Sequence, residues 1–128
     1  MVTASLSNYR QAPRKVRLVA SLLRGKTVAA ALNMLMVTTK RASDPLAKLL
    51  ESAVANAKDR GISTENLFVK EIRVNQGLVM KRMMPGARGT GFPIRKKTSH
   101  VHIILESKAP KAAKAPKPAT PKAKKATK

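Results

Sequence analysis

The sequence predicts a protein of the α+β class, in which three helices precede an extended two-stranded ribbon. Apolar residues recur at helical spacing between residues 14 and 58. Residues 67–75 are rich in Val, Ile and Phe, and residues 98–105 alternate apolar and polar side chains with the period of a strand. The stretch between these two runs is rich in glycine and proline and has no helical spacing, so we interpret it as the outer part of a ribbon.

The first predicted helix covers residues 14–24. Pro13 precedes it at a position where the first turn of a helix tolerates proline. Gly25 follows as a candidate C-cap. The arginines of this segment share a face that differs from its apolar stripe, so the helix would bury one side and offer guanidinium groups on another. A strand over residues 2–10 is a further candidate.

Two more helices are predicted before the ribbon. Thr27 is a suitable N-cap for a short helix over residues 28–36. The third helix begins at Lys40 or at Pro45 and ends near Lys58. Its start stays open, because the residue before the proline could cap a helix there, or the proline could lie inside a helix that begins earlier.

The charge of the chain points to a polyanionic partner. Its 128 residues carry 27 Lys and Arg against 6 Asp and Glu, a net charge of +21. Residues 108–128 contain only Lys, Ala, Pro and Thr, and we predict that they form a disordered tail. Removing the eight lysines of that tail from +21 leaves +13 on the domain predicted for residues 1–107. Such a domain favours nucleic acid, an anionic membrane surface or an acidic protein as a partner.

The ribbon is the most informative segment. From Ile72 to Leu105 the sequence has seven Lys and Arg and no Asp or Glu. A free two-stranded ribbon is marginal in water, and this one has few apolar residues with which to form a core. We therefore predict a β-arm over residues 72–105, with its tip near residues 85–93, that is ordered by a polyanion.

Several other classes of protein are disfavoured. The chain has no cysteine, and it has neither an apolar run of membrane-spanning length nor a secretory signal pattern, so we expect a cytoplasmic protein without membrane insertion. The acidic residues are scattered, which predicts no catalytic group. His100 and His102 would share one strand face, but two ligands alone do not predict a metal site, and no cofactor is expected.

Recognition of RNA by base stacking is also disfavoured, because the chain has one Tyr, two Phe and no Trp. Contact of Lys and Arg with phosphate, selected by the shape of the RNA, remains the favoured mode. Two rivals stay open. The Lys-Ala-Pro tail would suit a DNA-packaging protein, and a lipid-binding polypeptide would need a more apolar helix face than the sequence offers.

The order and spacing of several segments resemble the large-subunit ribosomal protein twenty-two family. The resemblance runs from about Tyr9 to Glu106. The segments that carry it are Pro13-Arg14-Lys15-Val16-Arg17-Leu18-Val19, Leu23-Arg24-Gly25-Lys26, Lys40-Arg41-Ala42, Glu51-Ser52-Ala53-Val54-Ala55-Asn56-Ala57, Met80-Lys81-Arg82 with Pro85, and Arg95-Lys96-Lys97-Thr98-Ser99-His100.

This resemblance implies three helices packed on a small antiparallel sheet, with a long protruding β-hairpin. It implies a structural constituent of the large ribosomal subunit that binds large-subunit ribosomal RNA and supports early subunit assembly. The globular part is expected near the polypeptide exit site, beside neighbouring large-subunit ribosomal proteins. The hairpin is expected to line the exit tunnel, where the nascent polypeptide passes its tip.

The resemblance and the charge pattern together predict two sets of residues. The expected RNA contacts are Arg10, Arg14, Lys15, Arg17, Arg24, Lys26, Lys40, Arg41, Lys81, Arg82, Arg88, Arg95, Lys96, Lys97, Thr98, Ser99 and His100. The expected tunnel-lining residues are Met80, Lys81, Arg82, Met83, Gly86, Arg88, Gly89 and Thr90. The chain departs from the family pattern at Gly86 and Thr90, where arginine is common, so its tip is less basic than the resemblance implies.

Overall fold

The computed structural model describes residues 1–64 and 66–107. The predicted tail, residues 108–128, lies outside the described residues. Three helices and three strands follow one another along the chain, with a short 3₁₀ turn between the last two strands. They are β1 (Val2–Tyr9), α1 (Pro13–Leu23), α2 (Val28–Val37), α3 (Ser43–Asp59), β2 (Leu67–Pro85), the turn Ala87–Gly89, and β3 (Gly91–Ser107).

The three strands form one antiparallel sheet in the order β1-β3-β2. Strand β1 pairs with β3 from Val2 opposite Leu105 to Tyr9 opposite Ser99. Strand β2 pairs with β3 along its whole length and ends with Pro85 opposite Gly91. The ribbon formed by β2 and β3 therefore continues past the end of β1. The predicted α+β fold with a long protruding hairpin is confirmed.

The helix boundaries follow the local sequence. Pro13 occupies the first turn of α1, and Gly25 has the positive φ of +71° that favours glycine after a helix. The hydroxyl oxygen of Thr27 accepts a hydrogen bond from the Ala30 N–H at 3.4 Å, as a cap of α2 should. Helix α3 begins at Ser43, between the two predicted starts, and Pro45 lies in its first turn, where it leaves no helical hydrogen bond unmade.

One face of the sheet and the three helices form the core. Val101, Ile103 and Leu105 of the central strand are fully buried, and α1 packs on β2 while α3 packs on β1. On the opposite face Ser5, Arg73 and His102 lie side by side across the three strands and are exposed. Among the described residues no helix is long and apolar enough to cross a membrane.

Both outer strands shift register beside the same part of β3. Strand β1 carries one extra residue between Leu6 and Tyr9, where Asn8 has a φ of +56°. Strand β2 carries one extra residue between Gln76 and Val79. Bulges bend a strand and increase its twist. They mark the place where the three-stranded sheet becomes the two-stranded arm, which we define as residues 79–97.

Two adjacent leucines of α1 test how the core holds the fold. Leu23 is fully buried, whereas Leu22 is 50% exposed. Leu23→Ala is expected to lower the free energy of unfolding by about 2–5 kcal/mol, because it removes buried methyl groups and leaves a cavity. Leu22→Ala is the matched control and should change stability by less than about 0.5 kcal/mol. Urea unfolding followed by circular dichroism measures both, and equal losses would contradict the described packing.

Candidate nucleic-acid interface

The arm places cations opposite one another without acidic partners. Lys81 of β2 pairs directly with Arg95 of β3, and both side chains are exposed. Directly opposed like charges destabilise a strand pair. Because the sequence has no acidic residue from Ile72 to Leu105, this repulsion is not relieved within the arm. The arm is therefore suited to an external anion.

The tip of the arm is closed by a tight turn. The Gly86 N–H donates to the Thr90 carbonyl at 2.7 Å, and the Thr90 hydroxyl donates to the Ala87 carbonyl at 2.7 Å. Arg88, with a φ of +56°, is one of two described non-glycine residues in the left-handed region. Its exposed guanidinium is thereby carried on the turn itself.

The Phe92 ring explains the glycine at position 86. A Cβ atom added to Gly86 would collide with that ring. On the other strand end, a Cβ on Gly91 would lie 2.7 Å from the methyl carbon of Met83. The space that a larger tip residue would need is therefore filled by Phe92, which is itself 60% exposed. The tip thus combines one exposed cation, Arg88, with the exposed apolar side chains of Met83 and Phe92.

A second basic surface lies where the arm meets the globular part. We call it the root groove. It is a cavity of about 540 Å³, and its lining residues come from the β1–α1 loop, the start of α1, the segment before α3 and the two arm strands. These residues are Arg10, Gln11, Ala12, Lys15, Arg41, Met80, Lys96 and Lys97. The fold thus brings five of the predicted RNA-contacting cations together from three separate stretches of sequence.

Three uncharged residues also line the root groove. Met80, a predicted tunnel-lining residue, is half-buried there, and its place in the tunnel stays a prediction. It is six residues from Gly86, or about 20 Å along an extended strand. Gln11 and its neighbour Ala12 were missed, because an uncharged pair beside Arg10 carries no charge signal in the sequence.

The position of Arg41 is held by a tyrosine. The Tyr9 hydroxyl donates to the Arg41 carbonyl at 3.2 Å, which joins the end of β1 to the segment before α3. Partial burial raises the pKa of the Tyr9 phenol above its ordinary value, the Arg41 cation lowers it, and Asp44 raises it further. The phenol therefore keeps its proton, and this hydrogen bond, throughout the neutral range.

Two of the predicted RNA-contacting arginines hold the fold together. The Arg17 guanidinium donates twice to the Val74 carbonyl, from Nε at 3.1 Å and from Nη2 at 2.9 Å. Arg24 donates from Nη2 to the Ile72 carbonyl at 3.0 Å. Both carbonyls belong to β2, an outer strand of the sheet. Each guanidinium has further N–H groups, so an RNA contact by these side chains stays a prediction.

Three predicted RNA-contacting residues of the returning strand make contacts within the protein. Thr98 is 4% exposed and donates its hydroxyl to the Leu78 carbonyl at 2.7 Å, and Ser99 is fully buried. His100 accepts a hydrogen bond at Nδ1 from the Asn8 N–H at 3.1 Å. The side chains of Thr98 and Ser99 are thus buried beside the bulges, and their contact with RNA stays a prediction.

Three further predicted cations, outside the arm and the groove lining, are exposed on the globular part. Arg14 lies in the first turn of α1, Lys26 follows α1, and Lys40 lies between α2 and α3. The Lys26 carbonyl also accepts the Val69 N–H at 2.9 Å, so its backbone extends the sheet at β2 while its side chain stays outside.

Acidic residues pair with cations at the sheet end of the molecule. Lys70 contacts Glu106 at 2.9 Å, and Arg73 contacts Glu71 at 2.6 Å. The hydrogen bond from Arg73 holds the pKa of the exposed Glu71 carboxyl below its ordinary value. Within residues 1–64 and 66–107 no cluster of three His, Asp or Glu could hold a metal ion. The arm and the root groove thus present Lys and Arg side chains without acidic partners.

These features define a basic α+β protein with a projecting cationic arm. The family described as ribosomal protein L22p/L17e matches residues 4–106. The large ribosomal subunit protein uL22 of Myxococcus xanthus is 49% identical over 106 residues, which cover 80% of this chain and 93% of the relative. That of Acholeplasma laidlawii is 52% identical over 97 residues, covering 75% and 87%. That of Anaeromyxobacter sp. strain K is 52% identical over 108 residues, covering 83% and 74%.

The chain therefore belongs to the ribosomal protein L22p/L17e family. As a member it is a structural constituent of the large subunit of the cytoplasmic ribosome, where it associates with ribosomal RNA and proteins, and it is not an enzyme. The resemblance read from the sequence is confirmed.

The hydrogen bonds of Arg17 yield a stability prediction. Arg17→Lys keeps the charge but replaces a planar fork that donates twice to one carbonyl. We expect the free energy of unfolding to fall by about 1–2 kcal/mol, because charged hydrogen bonds to a partly buried carbonyl are weakened or lost. Arg14→Lys, an exposed position on the same helix, is the control and should be nearly neutral. Urea unfolding compares them, and an unchanged Arg17→Lys variant would show that the contact contributes nothing.

Proposed function

We propose that the protein binds large-subunit ribosomal RNA through its arm and its root groove and supports early assembly of the subunit. The observation that carries the proposal is the pairing of Lys81 with Arg95 on an exposed ribbon. Binding of phosphates between and beside these side chains converts repulsion into attraction and releases counterions from the RNA.

The contacts are proposed to be with phosphate and sugar groups. The arm and the groove offer Lys and Arg, and arginine suits a two-point grip on phosphate. Phe92 is the arm's one aromatic residue, and its ring packs over Gly86. Selection of a site by the fold of the RNA is therefore favoured over the reading of bases.

We further propose that the globular part lies near the polypeptide exit site and that the tip lines the nascent-peptide tunnel. The arm supports this placement by its length. From Gln76 to Pro85 an extended strand reaches about 30 Å beyond the end of β1. A thin ribbon of that length can pass between RNA segments and place Arg88 and Thr90 beside a passing nascent chain. Neighbouring large-subunit proteins would flank the globular part.

Charge reversal on the arm tests the RNA-binding proposal. The double variant Lys81→Glu and Arg82→Glu is expected to reduce incorporation into large subunits about tenfold or more, because each reversal replaces attraction to phosphate by repulsion. Incorporation is measured from sucrose-gradient fractions of cells that express the tagged variant beside the parent protein.

The control variant reverses two exposed lysines of α3, Lys48→Glu and Lys58→Glu, which lie outside the arm and the groove. It has the same net charge and should be incorporated nearly as well as the parent. Equal incorporation of both variants with the parent would refute the arm as an RNA-ordered element.

A competition experiment separates ribosomal RNA from the rival partner, duplex DNA. The purified protein is bound to a labelled transcript of large-subunit ribosomal RNA, and unlabelled folded RNA or duplex DNA is added at matched phosphate concentration. Displacement by RNA alone supports the proposal, whereas equal displacement by DNA favours a DNA-packaging protein.

The tunnel placement has a test of its own. The chain has no cysteine, so Ala87→Cys creates a unique thiol at the exposed tip. In ribosomes that carry a stalled nascent chain with one thiol-reactive group, we expect a crosslink from this position, because the two would be within a few ångströms. Met36→Cys on the exposed face of α2 is the control and should give none. Crosslinking at position 36 but not at position 87 would exclude the tip from the tunnel.

A further inference from the structure

The root groove has two sides that belong to different parts of the molecule. Arg10, Lys15 and Arg41 lie on the globular side, whereas Lys96 and Lys97 lie on the arm. All five side chains are exposed, and the groove has the volume of a small-ligand site, about 540 Å³. The two sides therefore repel each other in the free protein, and an anion between them would attract both.

The connection between the two sides is the part of the sheet where both outer strands bulge. Strand β1 ends at Tyr9, so the sheet continues beyond it with two strands only. Beside Ser99 of β3, both β1 and β2 carry one extra residue. Gly77 lies within the β2 bulge, and a Cβ atom there would come within 2.6 Å of the Thr98 hydroxyl and 2.8 Å of His100 Nε2. Beyond this bend the ribbon has two strands and no third strand to brace it, so its direction depends on the contacts at the bulges.

We propose that the root groove is a two-sided phosphate clamp, and that RNA backbone bound in it fixes the direction of the arm relative to the globular part. The ligand is a stretch of RNA backbone that places adjacent phosphates between the two cationic sides. This inference rests on the proposed RNA binding and deepens it. The arm cations beyond the groove supply affinity, whereas the groove sets the angle of the arm.

The clamp also explains why cations from distant stretches of sequence converge here. A phosphate contact on the arm alone leaves the arm free to pivot. A contact that spans from Lys15 or Arg41 to Lys96 closes the angle, because the same anion holds both sides. Tyr9 contributes as a positioning residue, since its hydroxyl holds the backbone of Arg41.

The experiment follows the direction of the arm through the distance between its tip and the globular part. Spin labels are placed at Ala87→Cys on the tip and Ala55→Cys on the exposed face of α3, in a full chain that has no other cysteine. Pulsed electron paramagnetic resonance gives the distribution of distances between them, with and without a saturating transcript of large-subunit ribosomal RNA. We expect the width of that distribution to fall by about half on binding, because the bridging anion removes the repulsion across the groove.

The test variant removes two of the three cations on the globular side of the groove, with Lys15→Gln and Arg41→Gln, and leaves both arm lysines in place. It should still bind the transcript through the arm, as fluorescence anisotropy at saturation will show, but its distribution should stay broad. The control variant, Lys48→Gln and Lys58→Gln, loses the same charge from α3. Its distance distribution should narrow on RNA binding as the parent's does. Urea unfolding of both variants checks that the fold is unchanged.

The outcomes separate the two proposals. Two results would overturn the clamp and leave RNA binding intact. One is a distance distribution of the groove variant that narrows on RNA binding to the width of the parent's. The other is a distance distribution of the parent that is already narrow without RNA. Absence of saturable RNA binding by the parent would overturn the proposed function and the clamp together. The clamp is established if the groove variant binds RNA but keeps a broad distance distribution, while the distribution of the control variant narrows.

Discussion

A row of hydrogen bonds along the outer edge of β2 fixes where the globular part ends and the arm begins. The segment after α1 forms a short antiparallel bridge with this edge, with the Gly25 N–H on the Val69 carbonyl at 2.8 Å. Further along β2, Arg24 donates a hydrogen bond to the Ile72 carbonyl, and Arg17 donates to the Val74 carbonyl. Because charged donors on backbone carbonyls are stronger than neutral ones, β2 is anchored as far as Val74. The ribbon projects from that point onward.

Much of the fold could be predicted from the sequence, because it depends on short-range patterns. Helical spacing identified α1, Pro13 and Gly25 marked its ends, and Thr27 capped α2. The start of α3 could not be decided, since Ser43 donates its hydroxyl to the Thr38 carbonyl, a contact with no signature in the sequence. The bulges were also hidden, because one extra residue in a strand changes its pairing and not its composition.

The candidate site was predictable as a set of cations but not as an arrangement. Charge and resemblance pointed to Lys81, Arg82 and Lys96, yet neither could show that Lys96 and Lys15 line the same groove. Thr98 and Ser99 belong to a basic motif, and the sequence could not show that both are buried or that the Thr98 hydroxyl donates to the Leu78 carbonyl. A long-range contact decides which way such a side chain points, whereas periodicity reports only the local face.

Side chains of α1 and α3, and of the residues that follow these helices, donate hydrogen bonds to carbonyls on both outer edges of the sheet. On β2 the donors are Arg17 and Arg24. On the β1 side the Asn56 amide donates to the Thr3 carbonyl at 3.2 Å and Arg60 donates to the Met1 carbonyl at 3.2 Å. Carbonyls occupied in this way offer less of a template on which another chain could add a strand. The side chains that hold the fold together thereby also make edge-to-edge association of two copies less favourable along the globular part of the sheet.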